Sequence, residues 1–416
     1  MKRYFTVLGI SILMYFISTS IVYGQQTWVQ LVSGTTQDLY SVYFPNTNTG
    51  FTVGASGTIR KTINGGTNWS GLTSGTTSDL FEVFFLNPST GYVSGSNGTI
   101  RRTTNGGTNW TAQTSGVTVT LYEIFFCDAN TGYAAGTNGT IRKTTNGGTN
   151  WAGLTSGTTN DLYEVHFIMN NLGYVVGAGG TVRYTTNGGT NWIAQTSGTT
   201  QSLLDVRFSS TFLTNALTSI GNNGTIISTT NGGTNWNSQN SGTNNDLYEI
   251  HFSFPTVGYA AGQNGTILRT TNGGANWVQS VSGTNNTLRS IYFPIPSTGF
   301  SVGLNGTILK TTSGFVGIEP VNNSVPDKFG LSQNYPNPFN PVTKIRFEIP
   351  AGNSNENIVL TVYDAIGKEV STLVDGNLQT GVYEIDFDGS NLPSGEYYYK
   401  LKAGNFTDVK KMVLVK

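Results

Sequence analysis

Seven tryptophans, Trp28, Trp69, Trp110, Trp151, Trp192, Trp236 and Trp277, recur along the chain at steps of 41, 41, 41, 41, 44 and 41 residues. A period of this length, carried by segments punctuated with Gly and Asn, belongs to propeller blades rather than to helical repeats. The copy from Leu247 to Trp277 shows why. LYEIHF reads as a first strand and GYAAG as a second. Asn264-Gly265 then turns the chain into TILRTT, and Asn272-Gly273 turns it towards a fourth strand near Trp277. Asn-Gly supplies the positive φ that tight hairpins need, so the turns themselves encode a four-stranded meander.

A single blade cannot bury both of its faces, so successive blades must stack around an axis and the ring must close. Seven GT(I/V) elements begin at Gly57, Gly98, Gly139, Gly180, Gly224, Gly265 and Gly306. The first tryptophan precedes the first of them, and none follows the last. The seventh blade therefore lacks an outer strand while residues from about Thr27 to Val32 are spare. Donating that strand to the last blade closes a seven-bladed ring and covers an open edge. Each tryptophan is assigned to packing between neighbouring blades. Burying about 150 to 250 Å² at about 25 cal/mol per Å² gives roughly 4 to 6 kcal/mol each before entropy is subtracted.

Composition agrees with an all-β chain. Of 416 residues 54 are Gly and only 11% are charged, with 22 basic and 22 acidic residues balancing to zero. Nothing in that balance suits nucleic acid or an anionic membrane. The single cysteine, Cys127, has no partner for a disulfide or a thiol metal site and reads as a small packing residue. Lys2 and Arg3 precede an apolar run from about Phe5 to Ile17, and Val22-Tyr23-Gly24 precedes Gln25, the layout of a secretory signal peptide over residues 1–24. The run is shorter than the roughly 20 residues of a spanning helix, so no transmembrane segment is expected in the mature chain.

A propeller hydrolase needs unequal carboxylates converging on one bond. The repeat argues against that. Glu82, Glu123, Glu164 and Glu249 occupy one place in their repeats, Asp205 joins them, and Ser41 and Ser290 complete the column. Asp38, Asp79, Asp161 and Asp246 form a second column just before the first strand, where Asp suits turn capping. Arg60, Arg101, Arg142 and Arg183 are a third, on the third strand, beside Lys61, Arg102, Lys143, Arg269 and Lys310. The acidic and arginine columns are candidate ligand contacts as rings of alternating charge. The plainer reading is ion pairing within or between blades, worth about 0 to 1 kcal/mol each where exposed. His166 and His251 stand where other copies carry Phe84 and Phe125, which reads as packing rather than metal or acid-base chemistry. Blade five alone departs from the pattern. FSSTFLTNALTSIG, Phe208 to Gly221, carries the three-residue excess and loses the GYAAG strand, so Phe212, Leu213, Thr214 and Asn215 are candidate ligand contacts on a unique loop.

GYAAGQNGTILRTTNGGANW, Gly258 to Trp277, resembles the repeat of the photosystem II assembly and stability factor propellers. The TTNGGTNW segments also resemble the Asp-box of sialidases and sortilin-type receptors, with Asn64, Asn105, Asn146, Asn187, Asn231 and Asn272 where those families usually have Asp. The resemblance implies the propeller fold. It implies no activity, since the Asp-box is a turn motif in those families and a sialidase's arginine triad cannot be assigned here.

After Phe315 the composition shifts. A linker over residues 316–330 contains Pro320 and Pro326 and leads into a C-terminal unit over residues 331–416. Pro336, Pro338 and Pro341 suggest an extended polyproline-like lead-in, followed by strands in KIRFEI, IVLTVYD, VYEIDF, EYYYKLKAG and VKKMVLV, as in a small Ig-like antiparallel sandwich. This unit closely resembles the type A C-terminal sorting domain of the type IX secretion system. The residues that carry the resemblance are Tyr335, Pro336, Asn337, Pro338, Phe339, Asn340 and Pro341, then Gly395 and Tyr397 within LPSGEYYYKLKAG, and Lys410 to Lys416. That family implies export across both membranes of a Gram-negative bacterium related to the Bacteroidetes, and partners in the secretion machinery and a sortase-type peptidase. The product is secreted or displayed on the outer-membrane surface. The expectation is an exported binding protein for a protein or glycan ligand, with no cofactor, no metal and no catalytic residue. A sialidase-like glycoside hydrolase and a passive structural surface protein are the alternatives.

Overall fold

The computed structural model describes residues 28–208, 216–253, 256–312, 325–352, 357–378, 380–389 and 392–416. The expected signal peptide, the blade-five loop residues Phe212 to Asn215 and most of the linker lie outside the described residues.

Seven four-stranded antiparallel sheets follow one another, the first made of Leu39–Tyr43, Gly50–Gly54, Ile59–Thr62 and Ser70–Leu72. The seventh takes Leu288–Ile295, Thr298–Gly303 and Thr307–Thr311 from its own stretch of chain and Val29–Leu31 from the other end. Val29 pairs with Lys310 and Leu31 with Ile308. The ring thus closes through the donated amino-terminal strand. The first strand of every blade is innermost, and Leu39–Tyr43 lies beside Leu288–Ile295 as each inner strand lies beside the next.

Blade five keeps its second strand, contrary to the sequence reading. Leu217–Gly221, LTSIG, pairs with Leu203–Phe208 in the place that GYAAG fills elsewhere. The position demands residues that can be buried on both sides of the sheet, and LTSIG meets that demand without matching the consensus letters. All five residues are buried.

The two Asn-Gly turns differ. In the inner one Asn264 has φ 53° and Gly265 φ 68°, the paired positive φ expected. Gly265 is obligatory, because a Cβ there would lie 1.8 Å from the Thr284 carbonyl oxygen. In the outer one the positive φ falls on Gly273 and Gly274 instead, and Asn272 is a side-chain clasp. Its Oδ1 accepts the Asn276 N–H at 2.9 Å and the Thr270 hydroxyl at 3.0 Å. Asn64, Asn105, Asn146, Asn187 and Asn231 do the same. An amide oxygen accepts as an Asp carboxylate would, so the motif works with Asn.

Each tryptophan packs across a seam. Trp151 joins Tyr92 and Ile100 of blade two to Leu121 and Phe126 of blade three, meeting the Phe126 ring edge-on at 5.9 Å. Trp28, on the donated segment, sits with Tyr259 and Ile267 of blade six and Phe293 of blade seven. Cys127 packs against the third seam, and burial pushes its thiol up to about 12.

The C-terminal unit has its own core of Ile345, Phe347, Tyr383, Tyr399, Leu401 and Met412. It is a sandwich of a three-stranded sheet (Gly330–Leu331, Val342–Ile349, Gly381–Asp388) and a four-stranded sheet (Glu369–Asn377, Asn357–Asp364, Gly395–Ala403, Phe406–Leu414). The strand Glu369–Asn377 is additional to those expected. In the lead-in the Tyr335-Pro336 and Asn337-Pro338 bonds are cis, and Tyr335 bridges Lys344 of the strand that follows.

Candidate functional site

The inner strands share the pattern of LYEVHF, in which the third and fifth side chains point to the same side. Repetition around the axis turns those two positions into two rings. The third position holds Ser41, Glu82, Glu123, Glu164, Asp205, Glu249 and Ser290, and the fifth holds Tyr43, Phe84, Phe125, His166, Arg207, His251 and Tyr292. The whole fifth-position ring lines an axial cavity of about 300 Å³, joined by Glu82, Glu123 and Glu249 from the third.

The acidic ring has a structural task. Each inner strand carries a bulge between its first and third residues, which leaves an amide without a ladder partner. At four of the seven the third-position side chain of the preceding blade supplies an acceptor. Asp205 Oδ2 accepts the Ile250 N–H at 2.8 Å, Glu249 Oε2 the Ile291 N–H at 3.2 Å, Ser290 Oγ the Val42 N–H at 3.0 Å and Ser41 Oγ the Val83 N–H at 3.3 Å.

The other ring is a collar of aromatic side chains with a single break. Centroids are 4.9 Å apart for Tyr292 and Tyr43, 5.4 Å for Tyr43 and Phe84, 5.5 Å for Phe84 and Phe125, and 4.9 Å for Phe125 and His166. His251 rejoins Tyr292 at 4.9 Å. Between the two histidines stands Arg207, whose Nη1 is 2.9 Å from His166 Nδ1. The guanidinium reaches Glu164 with Nη1, Asp205 Oδ1 with Nε at 3.4 Å and Glu249 Oε1 with Nη2 at 3.8 Å.

Burial and like charge make these carboxyls hard to ionise. Burial raises Glu164 to about 8 and Glu249 to about 7, against the pull of Arg207. Glu82 is pushed well above the usual range by burial and by repulsion from Glu249 and Glu164, and Glu123 by burial with repulsion from Glu164 and Glu82. Burial would lower Arg207, but Asp205, Glu164, Glu249 and Glu123 outweigh it and hold the guanidinium firmly charged. Burial and then the Arg207 charge lower His251 to about 3 and carry His166 well below its ordinary value. Both histidines are thus neutral, as packing residues would be, yet both line the cavity.

The structure brings together the acidic candidates Glu82, Glu123, Glu164, Asp205 and Glu249, but not the arginine column with them. Arg60 Nη2 donates to the Trp69 carbonyl at 3.1 Å and Arg142 Nη2 to that of Trp151 at 2.6 Å. Arg101 and Arg183 reach the carbonyls of Gly75 and Gly157. The lysines of the third strand behave alike, Lys61 donating to Gly106 at 2.7 Å, Lys143 to Gly188 at 2.6 Å and Lys310 to Gly65 at 2.7 Å. Arg60, Arg101, Arg142 and Arg183 thus form no ring of alternating charge with the acidic column, whose ion pairs run to Arg207 instead. The seams are rich in backbone carbonyls at turns, and a long cation reaches those before it reaches the axis. Arg207 was the residue to notice. Its signal lay in the aligned inner strands, where LLDVRF alone has a permanent cation at the fifth position.

In the C-terminal unit the sorting residues are clamped together. Phe339 is buried, its N–H donates to the Val413 carbonyl at 2.9 Å, and its own carbonyl accepts the Val415 N–H at 3.0 Å. Asn337 Oδ1 accepts the Val413 N–H at 2.9 Å. Tyr397 donates its hydroxyl to the Pro393 carbonyl at 2.7 Å, and the Lys416 N–H donates to Ser394 Oγ at 3.0 Å. Gly395 opens its strand, Lys410 pairs with Asp408 at 3.3 Å, and Tyr335 is 80% exposed. Pro336, Pro338 and Asn340 are exposed too, while the Pro341 carbonyl accepts the Gly389 N–H at 2.8 Å.

Comparison with known proteins accords with this division. A family described as Secretion system C-terminal sorting domain matches residues 333–416. A family described as Photosynthesis system II assembly factor YCF48 matches residues 21–112, 67–152, 108–193 and 149–243, a run that together spans 21–243. No curated protein matches the chain. Among solved structures, YCF48 bound to D1 peptide is 22% identical with a TM-score of 0.60, over 70% of this chain and 96% of that one. YCF48 from Cyanidioschyzon merolae is 20% identical with a TM-score of 0.58, over 68% and 98% of the two chains. The WD40 propeller domain of Doa1 is 14% identical with a TM-score of 0.58, over 69% and 97%. The chain therefore belongs to the photosynthesis system II assembly factor YCF48 family of β-propellers and ends in a secretion system C-terminal sorting domain, which makes it a secreted or cell-surface protein.

Proposed function

We propose that this protein acts outside the cell by binding a protein or glycan ligand at the axial cavity of its propeller, with no chemical conversion of that ligand. The observation that carries the reading is Arg207 within the collar. The turns and seams are reused from blade to blade, whereas this side chain breaks the symmetry of the collar that lines the cavity. Concave sites with aromatic walls and a few convergent polar groups are the usual form of a recognition site. A solved relative is described as bound to a peptide, which favours a polypeptide over a glycan.

The sorting domain delivers the propeller to its place of action. We infer that the type IX machinery recognises the C-terminal unit and that a sortase-type peptidase then removes it. Loss of residues 331–416 from the exported protein, read by intact mass, tests this.

The binding reading is tested by presenting the full chain to a glycan panel and to surface proteins of its host, beside a Phe84→Ala, Phe125→Ala variant. Saturable binding that the variant loses supports it. Binding undiminished in the variant overturns the axial location.

A hydrolase is the second reading, favoured by Glu164 and Glu249, whose carboxyls are raised to about 8 and about 7 and both meet Arg207. Polysaccharide turnover abolished by Glu164→Gln or Glu249→Gln alone would replace binding with catalysis.

A further inference from the structure

Arg207 does not compensate the acidic ring evenly. Its three contacts lie in blades four, five and six, at Glu164, Asp205 and Glu249. The acids of blades two and three, Glu82 and Glu123, belong to none of the ion pairs among the described residues. Glu82 accepts one hydroxyl, that of Ser41 at 2.9 Å. Glu123 is only 6% exposed, and the hydrogen bond of its carboxyl runs to another carboxyl, Glu164.

A nine-tenths-buried acid with another acid for its partner, lining a cavity, lacks the donor that its second oxygen can accept. The walls beside it specify what kind of donor fits. Tyr43, Phe84 and Phe125 stand next to one another in the collar above these two acids. Aromatic faces attract cations, and a carboxylate pair gives such a cation directed hydrogen bonds. An anionic group would meet repulsion from the same ring. Among the described residues no group of three or more His, Cys, Asp and Glu is placed to hold a metal ion, and the aromatic wall suits an organic cation.

We propose that Glu82 and Glu123 form a subsite for the ammonium or guanidinium tip of a ligand, which enters through the aromatic collar and pairs on the side of the ring away from Arg207. The subsite rests on the binding reading above and deepens it. Two sources present this chemistry: a lysine or arginine side chain of a partner protein, and a free alkylamine. On binding, the two acids give up protons to solution, since a carboxylate pairs with the cation by charge-assisted bonds that a neutral carboxyl, accepting through one oxygen only, does not match.

The test is calorimetric titration of the full chain with butylammonium, butylguanidinium, spermidine, N-acetylated lysine and arginine amides, and butyrate as the anionic control. Saturable binding of at least one cation, none of butyrate, and heat that changes with the ionisation enthalpy of the buffer are expected. Glu82→Gln and Glu123→Gln, which keep shape, should each weaken it about ten-fold. Tighter binding of the capped amino acids assigns the cation to a partner protein, and tighter binding of spermidine assigns it to a free amine. Either result supports the subsite. Absence of binding by every cation, or equal binding by wild type and both variants, overturns it. If the collar variant Phe84→Ala, Phe125→Ala still loses a glycan or surface protein that the wild type holds, only the subsite falls. If no such ligand exists either, the binding reading falls with it.

Discussion

Asp38 Oδ1 accepts the backbone N–H of Asn305 at 2.8 Å, a bond between residues 267 positions apart that joins the first blade to the seventh. The same bond links Asp79 to Ser56, Asp161 to Asn138 and Asp246 to Asn223. The aspartate column before the inner strands thus caps the positive-φ turn of the preceding blade, and Asp38 extends that series across the closure.

Closure can be weakened in two ways of different size. Asp38→Ala removes one charge-assisted bond at the surface and should cost about 1 kcal/mol. Deleting residues 28–32 removes a strand and Trp28 together and exposes the edge Thr307–Thr311. Denaturant unfolding should show a small shift with an unchanged slope for the first. The second should broaden the transition and bring concentration-dependent association.

The tryptophans make a prediction about cores. Trp151 is 6% exposed between blades two and three, so Trp151→Ala leaves a cavity in that seam. A loss of about 3 to 5 kcal/mol is expected. Urea unfolding of the full chain measures it. A loss below about 1 kcal/mol would show that the seam is held by its backbone-directed cations instead.

Arg207→Met strips the guanidinium from Glu164, Asp205 and Glu249 and leaves charge uncompensated in the cavity wall. Removing one member of such a cluster costs about 3 to 5 kcal/mol where its partners stay ionised, here on the alkaline side of about 8. At acidic pH the carboxyls take up protons and the cost shrinks. Comparing wild type and variant by denaturant unfolding at both pH values separates this electrostatic loss from a simple packing defect, which would be the same at both.

The axial carboxyls give stability a pH dependence of definite sign. Glu164 has its value raised from the ordinary 4.5 to about 8, so folding favours its protonated form. That contribution is complete below 4.5 and is lost as the pH rises through about 8. Glu249, raised to about 7, acts in the same direction. His251, lowered from 6.5 to about 3, acts oppositely, contributing above 6.5 and losing that contribution as the pH falls towards 3. The melting temperature should therefore fall on the alkaline side. Glu164→Gln together with Glu249→Gln should flatten that alkaline fall while leaving the acid limb in place.

The period of the tryptophans, the Asn-Gly turns and the missing outer strand were all legible along the chain, because each is a local pattern whose consequence is geometric. Blade number, strand order and the donated strand from Val29 to Leu31 followed from counting. So did the strands around Phe347 and Tyr399 in the C-terminal unit. LTSIG in blade five was misread because burial, and not a fixed string of letters, defines that strand.

The site was another matter. That Glu82, Glu123, Glu164, Asp205 and Glu249 share one repeat position could be read from the sequence, but whether that position meets the axis, a seam or the rim depends on how the blades are wound. The winding brought five acids from five blades to the axis, three of them onto Arg207, and sent Arg60, Arg101, Arg142 and Arg183 to the carbonyls of the seams. Periodicity determines which side chains are equivalent. Only closure of the ring decides which equivalents come within reach of one another, since electrostatic contact falls off over a few ångströms while the residues concerned stand dozens of positions apart.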